Sequence, residues 1–149
     1  MDNEALKYAL RLLNRRDYTE LQLREKLNGK GFDKKDIEDT ILYLKEKNFL
    51  NDERFAENYI FFRLKNGYGK RRIRFELKEK GIKEEIVDRL LEDKEEMIEE
   101  YFLKKLKQVE NKKNPSKKLF DALYRRGFDK EKIFELINKY NVRERNEVS

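Results

Sequence analysis

The sequence predicts an all-α protein of three tandem three-helix repeats forming an elongated, curved molecule. Three observations carry the prediction. Apolar residues recur with the 3.6-residue helical period along nearly the whole chain, no stretch sustains a period-2 alternation, and one apolar pattern appears three times. Leu23, Leu27, Gly31, Phe32, Ile37 and Ile41 recur as Ile73, Leu77, Gly81, Ile82, Val87 and Leu91, then as Leu119, Leu123, Gly127, Phe128, Ile133 and Ile137. In each copy the glycine is expected to take the left-handed conformation that ends the second helix. The apolar residue after it plugs the corner, and the third helix returns over the same small core. Gly31, Gly81 and Gly127 are therefore expected as structural turns.

The elements follow in chain order. Leu6, Ala9, Leu10 and Leu13 line one face of a first helix. Thr19 is expected to cap a second helix, with Gln22 as its capping-box partner; Leu23 and Leu27 mark its buried side and Gly31 its end. Asp33 caps a third helix, in which Ile37, Ile41 and Leu44 share a face. Asn51 caps the fourth, where Phe55, Tyr59 and Phe62 are expected to repeat the face made by Ala5, Ala9 and Leu12. Gly67-Tyr68-Gly69 is a turn before the fifth helix. In the third repeat Ile98, Phe102, Leu106 and Val109 form the first-helix stripe. Asn114-Pro115 reads as N-cap and first residue of the eighth helix, after a basic loop over 110–118. The resulting division is 1–50, 51–93 and 94–143 for the three repeats, with a disordered tail at 144–149.

Composition narrows the function. Of 149 residues 46% are charged, against about 25% in an average domain, and only 38% are hydrophobic, so several thin cores in series suit the chain better than one thick one. The net charge of +6 and a pI near 9.3 favour an acidic partner: nucleic acid, an acidic protein surface or an anionic membrane. There is no histidine and no cysteine, which removes Cys/His zinc sites, Ser-His-Asp and Cys-His catalysis and thiol redox chemistry. Gly69-Lys70 lacks the upstream glycine of a phosphate-binding loop. The paired glutamates near 84–85, 95–96 and 99–100 read as solvated helix faces. A non-enzymatic protein is expected, with no catalytic residues, no metal and no cofactor. No apolar run is long enough to span a bilayer and no signal peptide precedes the first helix, so a cytoplasmic protein without a membrane partner is expected.

Charge is blocked along the chain. From Arg63 to Lys80 there are eight basic residues against two acidic ones, the balance reverses from Glu84 to Glu100, and the last third is basic again. Such blocks suggest a field aimed at a partner. With Ile73 and Leu77 buried, helical geometry puts Arg71, Arg74, Phe75 and Lys78 on the opposite face of the fifth helix. Packing against the next repeat is the favoured reading of Phe75; an exposed contact surface is the other.

These residues also carry a resemblance. The run Leu50-Asn51-Asp52-Glu53-Arg54-Phe55-Ala56-Glu57-Asn58-Tyr59 resembles the signature of the RecX regulatory proteins. Arg63 through Gly67-Tyr68-Gly69 and Arg72-Ile73-Arg74-Phe75-Glu76-Leu77-Lys78-Glu79-Lys80-Gly81-Ile82 continue it. Arg15-Arg16-Asp17-Tyr18-Thr19, Leu23 to Leu27 and Lys30-Gly31-Phe32 are similar to the family's opening repeat. The resemblance implies a bacterial cytoplasmic modulator of the RecA recombinase, acting in DNA repair and the SOS response. Such a protein lies in the groove of the RecA–single-stranded DNA filament and suppresses its ATPase, recombinase and co-protease activities. Arg63, Lys65, Lys70, Arg71, Arg72, Arg74 and Lys78 would form the central contact, helped by Arg125 and Arg126, with Tyr68 and Phe75 as aromatic contacts. The family often has proline after the second glycine of the turn; Lys70 stands there instead, which implies added charge and a looser start to the fifth helix. The alternative function is a general nucleic-acid-binding repeat protein that competes for single- or double-stranded DNA. A repeat array needs no dimer for stability, so a monomer is expected.

Overall fold

The computed structural model describes residues 3–142, and its described residues are helical throughout. The helices are α1 (Glu4–Arg15), α2 (Glu20–Lys30), α3 (Lys34–Glu46), α4 (Asp52–Lys65), α5 (Lys70–Glu79), α6 (Glu84–Leu91), α7 (Glu95–Val109), α8 (Pro115–Arg125) and α9 (Lys130–Lys139). They fall into three consecutive sets of three. The 144–149 tail lies outside the described residues.

Local chemistry sets the helix ends. Thr19 accepts a hydrogen bond from the Gln22 amide while the Gln22 side chain accepts one from the Thr19 amide, closing a capping box. Asp33 and Asn51 accept from the amides of Asp36 and Arg54. Gly31, Gly81 and Gly127 have φ of 97°, 88° and 96°. Past each glycine the next amide reaches back five residues: Phe32 to Leu27 O at 3.3 Å, Ile82 to Leu77 O and Phe128 to Leu123 O at 3.0 Å. One hydrogen-bonded stop motif is thus built three times from one sequence pattern. Asn114 differs from the expected cap: it sits at φ 50° and its side chain makes no capping bond, although Pro115 does occupy the first turn.

Two buried faces differ from the sequence expectation. In α4 the core stripe is Ala56, Ile60 and Leu64, whereas Phe55 and Tyr59 are half-buried and Phe62 is 59% exposed. The register is one residue off because Ala56 and Ile60, not the aromatic residues, are the counterparts of Ala5 and Ala9. In α1 the stripe is Ala5 and Ala9, with Leu6 and Leu13 at its margins and Leu10 38% exposed. Small residues here let the helices of each unit approach closely. The stripes predicted for α2, α3, α5 and α7 are buried, apart from Leu106, which is half-buried.

Among the described residues the cores number two, not three. Ala5, Ala9, Leu23, Leu27, Ile41 and Leu44 close a core inside the first unit. The second and third units share one continuous core, running from Ala56 and Ile60 through Ile73, Leu77 and Phe102 to Leu119 and Ile133. Phe102 is the largest fully buried side chain; it joins the two units because α7 packs on both α4 and α8. Each fully buried leucine or isoleucine contributes about 1.5–3 kcal/mol. The molecule is therefore one small unit attached to a larger two-unit body.

The attachments repeat. The start of α2 docks on the Gly81 turn: Thr19 Oγ1 donates to Lys80 O at 2.5 Å, and the Glu20 amide donates to Asp52 Oδ1 at 2.8 Å. The start of α5 docks on the Gly127 turn through two backbone bonds, Gly69 N to Arg126 O at 2.9 Å and Arg71 N to Gly127 O at 3.0 Å. In both cases the first turn of a second helix meets the glycine corner of the next unit. A Cβ at Gly81 would lie 2.5 Å from Leu21 Cβ, and one at Gly127 would lie 2.9 Å from Arg72 N. The glycines let the units touch as well as letting the helices stop.

Candidate partner-binding surface

The basic residues of α4, α5 and α8 divide into two groups by direction. The first group points into the junction between the second and third units. Arg63 forms a two-pronged pair with Glu76, at 3.0 Å and 2.6 Å, and its guanidinium lies 3.7 Å from the Tyr68 ring centroid. Arg126 lies 4.7 Å from the same ring and donates to Gly67 O at 3.1 Å and Asn66 O at 3.0 Å. Arg72 comes within 5.0 Å of that ring and 3.6 Å of Glu76. Tyr68 is thus enclosed by three guanidinium groups, each attracted by the ring's negative face. The first unit has a single-arginine version, with Arg16 3.9 Å over Tyr18, the residue at the corresponding position.

Lys70 also points inward. Its side chain is only 15% exposed and pairs with Glu95 at 2.5 Å, and Glu95 holds Lys132 of α9 at 2.9 Å. Burial alone would raise the Glu95 carboxyl, but the hydrogen bonds and charges of Lys70 and Lys132 together hold it below the usual range. The start of α5 is therefore pinned by this bridge and by the Gly69 and Arg71 amides, not loosened by the lysine. Burial and then the hydrogen bond to Glu76 raise the Tyr59 phenol to about 12. Tyr59, Arg63, Arg72 and Glu76 are one polar cluster between α4 and α5.

The second group faces outward along α5. Arg71 donates to Tyr124 O at 2.7 Å and lies 4.6 Å from the Tyr124 ring, bridging to α8 while its residue stays exposed. Arg74 meets Asp88 at 3.0 Å, and both side chains are at least 41% exposed. Ion pairs this exposed contribute about 0–1 kcal/mol and exchange partners readily. Phe75 is 63% exposed, so it does not pack on the next repeat. Lys78 and Arg125 are exposed and make no ion pair among the described residues. Lys65 is exposed too, its ammonium 5.9 Å from the Phe61 ring.

The alternating charge blocks of the sequence cancel in part in space. Asp88, Glu95 and Glu99 of the acidic stretch meet Arg74, Lys70 with Lys132, and Lys139 respectively. Arg89 pairs with Glu53 of α4. Asp88, Glu95 and Glu99 thus serve as counter-charge to the basic helices. Sequence reading also passed over Lys104 and Lys105 of α7 as site residues. They face Lys65 across a cleft at the end of α4, a juxtaposition that a linear list of charges does not reveal.

Residues 5–49 match the family model for the first three-helix domain of RecX, and residues 51–91 match that for the second. The chain belongs to the RecX family. It is 34% identical over 146 residues to the regulatory protein RecX of Haemophilus influenzae, covering 93% of this chain and 96% of that one. To the regulatory protein RecX of Caldanaerobacter subterraneus it is 36% identical over 144 residues, 91% of this chain and 70% of the relative. The fold is similar to the crystal structure of RecX from Lactobacillus salivarius, with a TM-score of 0.85 at 21% identity over 95% of this chain and 97% of that one. A second RecX crystal structure gives a TM-score of 0.74 at 23% identity, covering 91% of this chain and 72% of the other. Among the described residues no helix is long and apolar enough to cross a membrane.

Proposed function

We propose that this protein is a non-enzymatic regulator that binds the RecA–single-stranded DNA filament and inhibits its ATPase, recombinase and co-protease activities. The observation that carries the reading is membership of the RecX family along nearly the full chain, including relatives named as regulatory proteins. The outward face of α5 supports it. Arg71, Arg74, Phe75 and Lys78 combine an exposed aromatic ring with cations whose exposed pairs exchange at little cost. Arg63, Lys70 and Arg126 act from inside, holding the second and third units in one body that presents that face. A monomer lying along a filament groove would touch successive protomers through several modest contacts, which sum by avidity. Neither a membrane nor a cofactor has a part in this action, and its place is the cytoplasm.

The test follows DNA-dependent ATP hydrolysis by RecA while this protein is titrated, with occupancy of naked single-stranded DNA measured in parallel. Inhibition well below the concentration that coats naked DNA is the expected result. Inhibition only once the DNA is coated would overturn the proposal in favour of a general nucleic-acid binder.

A further inference from the structure

Many cations of this fold are neutralised by carboxylates or lie over aromatic rings; of those that meet no carboxylate, three gather around one cleft. At the end of α4 a cleft of about 240 Å³ is lined by Lys65 and Asn66 on one side and by Tyr101, Lys104, Lys105 and Gln108 of α7 on the other. None of the three lysines meets a carboxylate among the described residues. Three ammonium groups around one concave, polar space leave an excess of positive charge with no ion-paired carboxylate among the described residues. The wall is rigid, because the Gly67 turn at its end is tied to Arg126 and lies against the Tyr101 ring.

Beside this cleft lies an unusual apolar feature. Phe61 and Phe62 are 44% and 59% exposed and meet edge to face at 5.3 Å. Phe61 is linked to the cleft through Lys65, which sits one helical turn on with its ammonium 5.9 Å from the ring. Cationic groups that follow a sugar–phosphate backbone, set beside open aromatic faces that accept bases, are the requirement for holding a single strand. A duplex hides its base faces and would leave both phenylalanines in water.

We propose that the α4/α7 cleft is a single-strand DNA site, in which Lys65, Lys104 and Lys105 hold backbone phosphates and Phe61 and Phe62 take unstacked bases. The inference rests on the filament reading and deepens it, since it assigns the DNA strand a contact distinct from the α5 residues Arg71, Arg74, Phe75 and Lys78. Gln108 and Asn66 supply neutral donors at the rim, which suits contacts that do not depend on base identity.

The experiment measures the affinity of the full chain for a labelled oligothymidylate between about 50 and 200 mM salt. It compares the wild type with Lys65→Gln/Lys104→Gln/Lys105→Gln, with Phe61→Ala/Phe62→Ala, and with a charge-matched control, Lys26→Gln/Lys34→Gln/Lys35→Gln, on the first unit. The cleft variant is expected to lower the log–log salt slope by about 2, at about 0.7 per phosphate contact. The phenylalanine variant is expected to weaken binding by roughly tenfold or more with the slope unchanged. The control should change affinity far less than the cleft variant. Equal losses in cleft variant and control would overturn the site, and so would no detectable oligonucleotide binding by the wild type at low salt. Preferential binding of a polyglutamate peptide at the cleft would overturn it in favour of an acidic protein partner. RecA ATPase inhibition is scored separately. An inhibitory wild type with an inert cleft sinks only this inference, whereas a non-inhibitory wild type sinks the filament reading.

Discussion

Gly69 is the residue on which the union of the second and third units depends most directly, and Gly69→Ala is the perturbation that exposes it. Gly69 has φ of −96°, an ordinary value for any residue, so the substitution introduces no backbone strain. The obstacle is space. An added Cβ would fall under 3.0 Å from Phe128 N, Phe128 Cα and Gly127 C, all backbone atoms, where ordinary contact begins at 3.4 Å. The junction must therefore open by about 1 Å to restore ordinary contact. Such overpacking costs about 1–3 kcal/mol. Opening also weakens the Gly69–Arg126 and Arg71–Gly127 bonds, each contributing about 0.5–1.5 kcal/mol. The lower entropy of the unfolded alanine chain offsets at most about 1 kcal/mol. The net cost is about 3 kcal/mol, or roughly 6–12 °C in Tm for a chain of this size. Gly31→Ala is the matched control: it forces a left-handed alanine at φ 97° but meets nothing within 4 Å, so about 1–2 kcal/mol is expected. Thermal melting followed by helical circular dichroism gives both values. Amide exchange should show lost protection at Arg71 in Gly69→Ala and unchanged protection in α2. If Gly31→Ala proved the more damaging of the two, the junction would not be the close backbone contact described.

Three further outcomes follow from the same contacts. Glu76→Gln removes the charge shared by Arg63, Arg72 and Tyr59; a loss of about 1–2 kcal/mol is expected, with the Tyr59 phenol falling from about 12 towards its ordinary value of 10.0, read by ultraviolet phenolate titration. Acid should loosen the Lys70–Glu95–Lys132 bridge between the second and third units and the Glu20 pairs with Arg24 and Lys45 inside the first. Glu95 and Glu20 titrate below the usual 4.5 in the fold, so their stabilisation is complete above that pH and is lost as pH falls through their lowered values. Burial raises Asp52 instead, so protonation there relieves a penalty and acts in the opposite direction, which makes amide exchange at Glu20 less acid-sensitive than at Arg71. Phe75→Ala should alter stability by no more than about 0.5 kcal/mol while weakening inhibition of the recombinase; a large drop in Tm would mean that the ring is packed after all.

What was legible in the sequence was local. A threonine three residues before a glutamine, an aspartate or asparagine before an apolar stripe, and a glycine after one each act within a single turn. Their geometry in the structure follows from that chemistry. The apolar stripes of α2, α3 and α5 were legible for the same reason. The α4 face was misread because large aromatic residues drew the stripe one position away from Ala56, whose small side chain permits the close approach of α4 and α6. The arginines could not be sorted from the sequence. Arg71 and Arg126 find their partners more than fifty residues away, and Arg126 joins Arg63 and Arg72 at the Tyr68 ring only from the third unit. The fused second core was hidden likewise, since it depends on α7 facing two units at once.

The central claim is that this protein binds the filament in preference to bare DNA. The direct measurement is the partition of fluorescently labelled protein between RecA filaments assembled on an oligonucleotide and the same oligonucleotide without RecA, at about 0.15 M salt, where exposed charges are screened beyond roughly 8 Å. The account predicts binding to the filament at least about tenfold tighter, a difference of about 1.4 kcal/mol or more. Equal affinity for the two, or tighter binding to the bare strand, would contradict it.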